Sequence, residues 1–142
     1  MLTTARVALI LALFGAYPGI ARAGEVVVVV STSSPATVLS ESQVADIFLG
    51  RTRVFPDGRR AQPIDLPEGS VPHAAFYAEF TGRTAAQLKA HWSKIIFTGR
   101  GQPPRQLADI AQVKKALAES AGAIAYLPSD AIDPTVRLVN IR

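Results

Sequence analysis

Two spacings of apolar residues run through the chain. Val26 to Val30 is an unbroken run of five valines, and Ala123-Ile124-Ala125-Tyr126-Leu127 is a second continuous apolar stretch. β-branched residues fit a pleated surface, and a continuous apolar run rather than an alternating one predicts a strand covered on both faces. The valine run is accordingly placed at the sheet centre. Two further strands are predicted, a short one over 62–66 and an edge strand over 136–141, flanked by Asn140 and charged residues. Elsewhere apolar residues recur at helical spacing. Val44, Ile47 and Phe48 form one face, Phe76, Tyr77 and Phe80 a second, Leu88, Trp92, Ile95 and Ile96 a third, and Leu107, Ile110, Val113 and Leu117 a fourth. Strands thus alternate with helices, which predicts an α/β layer structure with a largely parallel or mixed sheet.

The ends of these segments carry start and stop signals. Ser40 with Gln43, and Thr84 with Gln87, have the spacing of a capping box, and Leu39 can pack on Val44 as a hydrophobic staple. Gly50 is placed to stop the first helix, and the fourth is expected to end near Gly122. Ser31 to Pro35 is a hydroxyl-rich connection, readable as solvated loop or as ligand loop. Arg51, Arg53, Arg59 and Arg60 surround the turn sequence Pro56-Asp57-Gly58, either as solvated charges or as a partner surface. Phe97 to Arg105 reads as a glycine and proline loop, plain or acting as a backbone nest, without the spacing of a nucleotide-phosphate loop. Trp92 is expected in the core and His91 on the exposed side of its helix.

Composition narrows the classes. The 142 residues are 49% hydrophobic and 18% charged, as expected of one folded domain. With no cysteine, disulfide frameworks, thiolate catalysis and Cys-ligated zinc are excluded. Met1 to Arg6 is positively charged, Val7 to Phe14 is apolar, and Ala21-Arg22-Ala23 offers small residues for cleavage, the pattern of a secretory signal peptide over 1–23. A membrane anchor is the alternative, but the apolar core is shorter than the ~20 residues a spanning helix needs. Loss of Arg6 and Arg22 from the 15 basic residues leaves 13 against 11 acidic, or +2. That balance gives no argument for nucleic acid.

The candidate chemistry centres on Ile64 to Phe80, where a buried strand, a turn of Glu68, Gly69 and Ser70, and a helix entered through Pro72 follow one another. A helix start has unpartnered N–H groups and partial positive charge, so Ser70 Oγ and the N–H groups of Gly69, Ser70 and Val71 can converge on a small oxyanion. Glu68 would repel a fully ionised group but accept a hydrogen bond from a protonated one. Ordinary helix capping by Ser70 accounts for the same residues. His73 beside the turn can be read as a base for Ser70, oriented by Asp65 or Glu68. The Gly-x-Ser-x-Gly elbow of serine hydrolases is missing, however, and so are His-x-x-x-His and acidic metal-loop patterns. No catalytic residue, metal ligand or cofactor is assigned.

Three segments in order resemble the phosphate-binding proteins of ABC importers. They are Leu39-Ser40 with Gln43 to Gly50, Glu68-Gly69-Ser70 ahead of Phe76, and Gly122-Ala123-Ile124-Ala125-Tyr126. The resemblance covers about residues 25–140 and implies a single three-layer α/β domain over 24–142, with a mixed sheet, like one lobe of a type II periplasmic binding protein. It further implies an exported, non-catalytic, periplasmic protein that binds phosphate or a similar oxyanion through Glu68, Gly69, Ser70 and Val71, in phosphate uptake or sensing. An ABC permease, a membrane sensor or a second copy are the implied partners. Family members usually carry an arginine and then Asp-Gly-Ser-Gly-Thr at this turn. Here Glu68 stands for the aspartate, the later glycine and threonine are replaced, and Asp65 lies near the arginine's place. The alternative is an interaction or sensory module that kept the fold and lost the ligand.

Overall fold

The valine run forms β1 (Val26–Val30), and both of its edges are paired. The computed structural model describes residues 25–142, so the signal segment expected over 1–23 lies outside the described residues. After β1 come β2 (Val38–Leu39), α1 (Glu41–Phe48), β3 (Gln62–Asp65), α2 (Val71–Thr81), α3 (Ala85–Phe97) and β4 (Arg105–Gln106). The chain continues through α4 (Ile110–Glu119), β5 (Ala123–Pro128), a single 3-10 turn at Ser129–Ala131, β6 (Arg137–Leu138) and β7 (Asn140–Ile141).

The main sheet has the order β4-β3-β5-β1-β6 and is mixed. β5 lies antiparallel to β1, from Val26 opposite Pro128 to Val30 opposite Ile124, and parallel to β3, with Gln62 opposite Ala123. The middle strand is therefore β5, with β1 one place outward. Both strands are apolar on both faces, so composition could not rank them.

Burial along β5 explains the layers. Tyr126 stacks on Phe76 of α2, with ring centroids 4.0 Å apart and planes within 5°, and its ring also meets Phe48 of α1. Alternate residues Ala123, Ala125 and Leu127 point to the other face and are equally buried. α4 also packs along β5, burying Val113 and Leu117. Covering both faces of a mixed sheet gives the three-layer α/β arrangement.

The predicted caps form. Ser40 Oγ accepts from the Gln43 N–H while the Gln43 side chain accepts from the Ser40 N–H, and Thr84 and Gln87 repeat the pair at α3. Asp109, which the sequence reading did not single out, caps α4 through the Gln112 N–H, so Leu107 lies before the helix.

Several expectations need correction. The segment 136–141 is not one strand: β6 pairs with β1, while β7 pairs in parallel with β2 in a separate two-stranded sheet, because Val139 turns inward between them. Its N–H donates to the Val28 carbonyl. The loop from Phe97 ends in a short strand, β4, whose Arg105 and Gln106 pair with Ile64 and Asp65. His91 is half-buried, its Nε2 2.8 Å from the Leu49 carbonyl at the end of α1. Among the described residues no helix is long and apolar enough to cross a membrane.

Candidate functional site

The expected turn forms at the carboxyl end of β3. The Ser70 N–H donates to the Pro67 carbonyl at 3.0 Å, closing a four-residue turn whose third residue, Gly69, has φ +84°. A positive φ at that position is what a type II turn requires, and glycine meets it without a Cβ clash. Ser70 then caps α2, its Oγ accepting from the His73 N–H at 3.4 Å, and Pro72 occupies the first helical turn.

This geometry sets which donors face outward. Of the four residues assigned to an oxyanion, Glu68, Gly69 and Val71 are exposed, Val71 by 74%, and Ser70 is half-buried. The Ser70 N–H is occupied by Pro67 and Pro72 has none, whereas the Gly69 and Val71 N–H groups have no protein partner among the described residues. Ser70 Oγ accepts its cap bond and keeps its own hydrogen to donate. Two backbone N–H groups and one hydroxyl are thus available at the positive end of α2, with the Glu68 carboxylate beside them.

Beneath the turn lies an arrangement that sequence reading did not assemble. Asp65, the last residue of β3, is only 5% exposed. Its carboxyl accepts from the Tyr77 hydroxyl, 2.9 Å from Oδ2, and from the Tyr126 hydroxyl, 2.9 Å from Oδ1. The Leu66 N–H donates to the Tyr126 hydroxyl at 3.2 Å. One carboxyl therefore ties β3, α2 and β5 together directly below the turn. Among the described residues no cation offsets it, so burial pushes the Asp65 pKa up to about 7, although the two tyrosine hydrogen bonds pull the other way. Both tyrosine hydroxyls are raised above the ordinary tyrosine range, first by burial and then by the neighbouring Asp65. One signal for this cluster was present in the chain, since a tyrosine inside a fully apolar strand needs a partner for its hydroxyl. Which residue would supply it depended on contacts 61 positions apart.

The Ser70–His73 pairing takes a different form from that of a nucleophile and its base. Only the His73 backbone reaches Ser70; its imidazole is buried and packs against the Tyr77 ring at 4.8 Å. Burial lowers the His73 pKa, with Glu68 opposing. Asp65 points to the tyrosines, and no hydrogen bond to His73 is formed. Among the described residues no group of acidic or histidine side chains is arranged to hold a metal ion.

The other polar stretches divide. In Ser31–Pro35, Ser31 and Ser34 are buried and bond neighbouring backbone N–H groups, while the Arg137 guanidinium donates to the Thr32 and Ser34 carbonyls at 2.7 and 2.8 Å. That loop is a structural clasp at the other end of the sheet from the turn, because β1 runs opposite to β3. In the arginine segment, Arg51 pairs with Asp46 at 3.3 Å and Arg59 with Asp57 at 3.7 Å.

No protein-family model matches the sequence, and no curated protein is similar to it. Solved structures are similar in fold. An ABC-type phosphate transport receptor from Vibrio cholerae superposes with TM-score 0.64 at 14% identity, over 82% of this chain and 45% of the receptor. A putative phosphate ABC transporter substrate-binding protein from Clostridium perfringens, solved with bound phosphate, gives 0.65 at 17% identity, over 82% and 44%. A possible phosphate binding protein from Planctomyces limnophilus gives 0.60 at 14% identity, over 82% and 41%. The fold is that of a phosphate-binding-protein lobe, and the chain spans less than half the length of each of these proteins.

Proposed function

We propose that the protein is an exported, non-catalytic binding protein for phosphate or a similar small oxyanion, acting in the periplasm in phosphate uptake or sensing. The observation that carries this reading is the combination of a lobe folded like those of phosphate receptors with a strand, a type II turn and a helix capped by Ser70. The oxyanion sits at the start of α2, accepting hydrogen bonds from the Gly69 and Val71 N–H groups and from Ser70 Oγ. Glu68 accepts a hydrogen from its protonated form, which favours the monohydrogen or dihydrogen anion over a fully ionised one.

A single lobe leaves such a ligand open to water, where charged hydrogen bonds contribute less than in a closed cleft. Binding by the monomer is accordingly weak, and a permease, a membrane sensor or a second copy of the chain completes the cleft. Calorimetric titration of the mature protein with inorganic phosphate tests the reading. Saturable heat in the millimolar range, about 4 kcal/mol of binding free energy, is expected, and it is reduced in Ser70→Ala. No heat, or heat unchanged by the substitution, removes it.

A second reading rests on the charges at the turn. Glu68 beside the available donors and the Asp65 carboxyl beneath them are both anionic or potentially so, and the nearest arginine side chains come from other segments. They favour an interaction or sensory module that kept the lobe without its ligand. Absence of phosphate binding in a folded protein that still associates with a membrane partner is the outcome that selects it.

A further inference from the structure

A well-formed cavity lies away from the turn, at the amino end of β3. It has a volume of about 590 Å³ and opens between α3, the Gly50–Arg53 segment and the loop from Gly99 to Arg105. That size suits a small organic ligand, for which sites are about 300–1,000 Å³. Its apolar wall comes from Ile47, Trp92, Ile95, Ile96, Pro103 and Pro104. Ile96 is 55% exposed, a large apolar side chain left facing solvent at this opening.

The charge of the lining is one-sided. Arg53, Arg60 and Arg105 all line it, and no aspartate or glutamate does. None of the three forms an ion pair among the described residues, where the salt bridges are Arg51–Asp46, Arg59–Asp57 and Lys114–Asp133. Arg53 is held in place, its Nη2 donating to the Arg100 carbonyl at 3.3 Å, which leaves its other guanidinium hydrogens available. Three arginines without ion pairs, lining a cavity with an apolar wall, match a ligand with an anionic group at one end and an apolar body at the other. Guanidinium binds planar carboxylates bidentately, and the flat Trp92 ring and the isoleucines accept an aromatic or aliphatic body.

The geometry points to this cavity as a second binding site, for a small amphipathic organic anion such as an arylalkyl carboxylate. It stands independently of the phosphate reading, since it shares none of the turn residues. Trp92 is the sole tryptophan of the chain and lines the cavity, so its fluorescence reports occupancy directly.

The test titrates the mature protein with 4-phenylbutyrate while following Trp92 emission. A saturable change with a Kd of about 1 mM or tighter is expected. Arg53→Gln and Arg105→Gln should each weaken it about tenfold, as loss of a charged hydrogen bond does. The uncharged 4-phenylbutyramide should bind more weakly than the acid, added salt should weaken the acid, and inorganic phosphate at equal concentration should fail to displace it. The amide and salt arms use the unaltered protein, so they decide the question even if a variant misfolds. No saturable change up to about 10 mM, equal binding of the amide, or equal displacement by inorganic phosphate overturns the site.

Discussion

Asp65 is the residue whose environment has the clearest consequence. Its pKa is raised from the ordinary 3.8 to about 7, so between these values the unfolded chain has released the proton that the folded protein retains. Its contribution to stability is therefore full below about pH 4 and declines as pH rises toward 7. His73 acts with the opposite sign, because its lowered pKa makes the folded state resist a proton that the unfolded chain accepts near pH 6.5. Comparing wild type with Asp65→Asn in denaturant titrations across pH 4 to 8 isolates the first effect. The wild-type stability minus that of the variant should fall with pH, with a slope of up to about 1.4 kcal/mol per unit. A flat difference would show that Asp65 is ionised throughout. Tyr126→Phe removes the hydroxyl that bonds Asp65 and accepts the Leu66 N–H, leaving a buried donor and carboxyl less satisfied. Thermal or chemical unfolding should register a loss of about 2 kcal/mol.

At the scale of elements, close contacts and caps decide what each junction tolerates. A Cβ on Gly122 would lie 2.6 Å from the Arg60 carbonyl oxygen, at the point where the Gln62 N–H donates to the Gly122 carbonyl and β3 begins beside β5. Gly122→Ala should therefore cost about 2 kcal/mol, measured by chemical unfolding, as forced backbone shifts do. Thr84→Ala removes the cap of α3 and should cost about 1 kcal/mol, enough to lower the melting temperature by several degrees. These elements were legible because their causes are local. The Ser40–Gln43 and Thr84–Gln87 boxes, the glycine at the third position of the turn, and the valine and alanine-rich strands all lie within a few residues of the signals that predict them. β2 and β4 were not legible, nor was the pairing of β7 with β2, since each of these strands is two residues long and exists through pairing with a distant strand. The Asp65 cluster was hidden for the same reason, joining residues 65, 77 and 126.

For the whole molecule, the main fact is that the chain folds like part of solved phosphate-binding proteins and covers less than half of each. Both the turn and the arginine-lined cavity lie on this one lobe, at opposite ends of β3, so ligands at the two sites can be examined separately. If a second copy completes a cleft over the turn, phosphate should shift sedimentation of the mature protein from monomer to dimer. An unshifted monomer that still binds phosphate would assign the closing surface to a different partner. The central claim is that the start of α2 holds an oxyanion, and backbone amide NMR during titration with inorganic phosphate tests it most directly. Saturable shifts should be largest at the Gly69 and Val71 amides and reduced in Ser70→Ala; shifts that are absent there, or centred elsewhere on the protein, would exclude an oxyanion at this helix start.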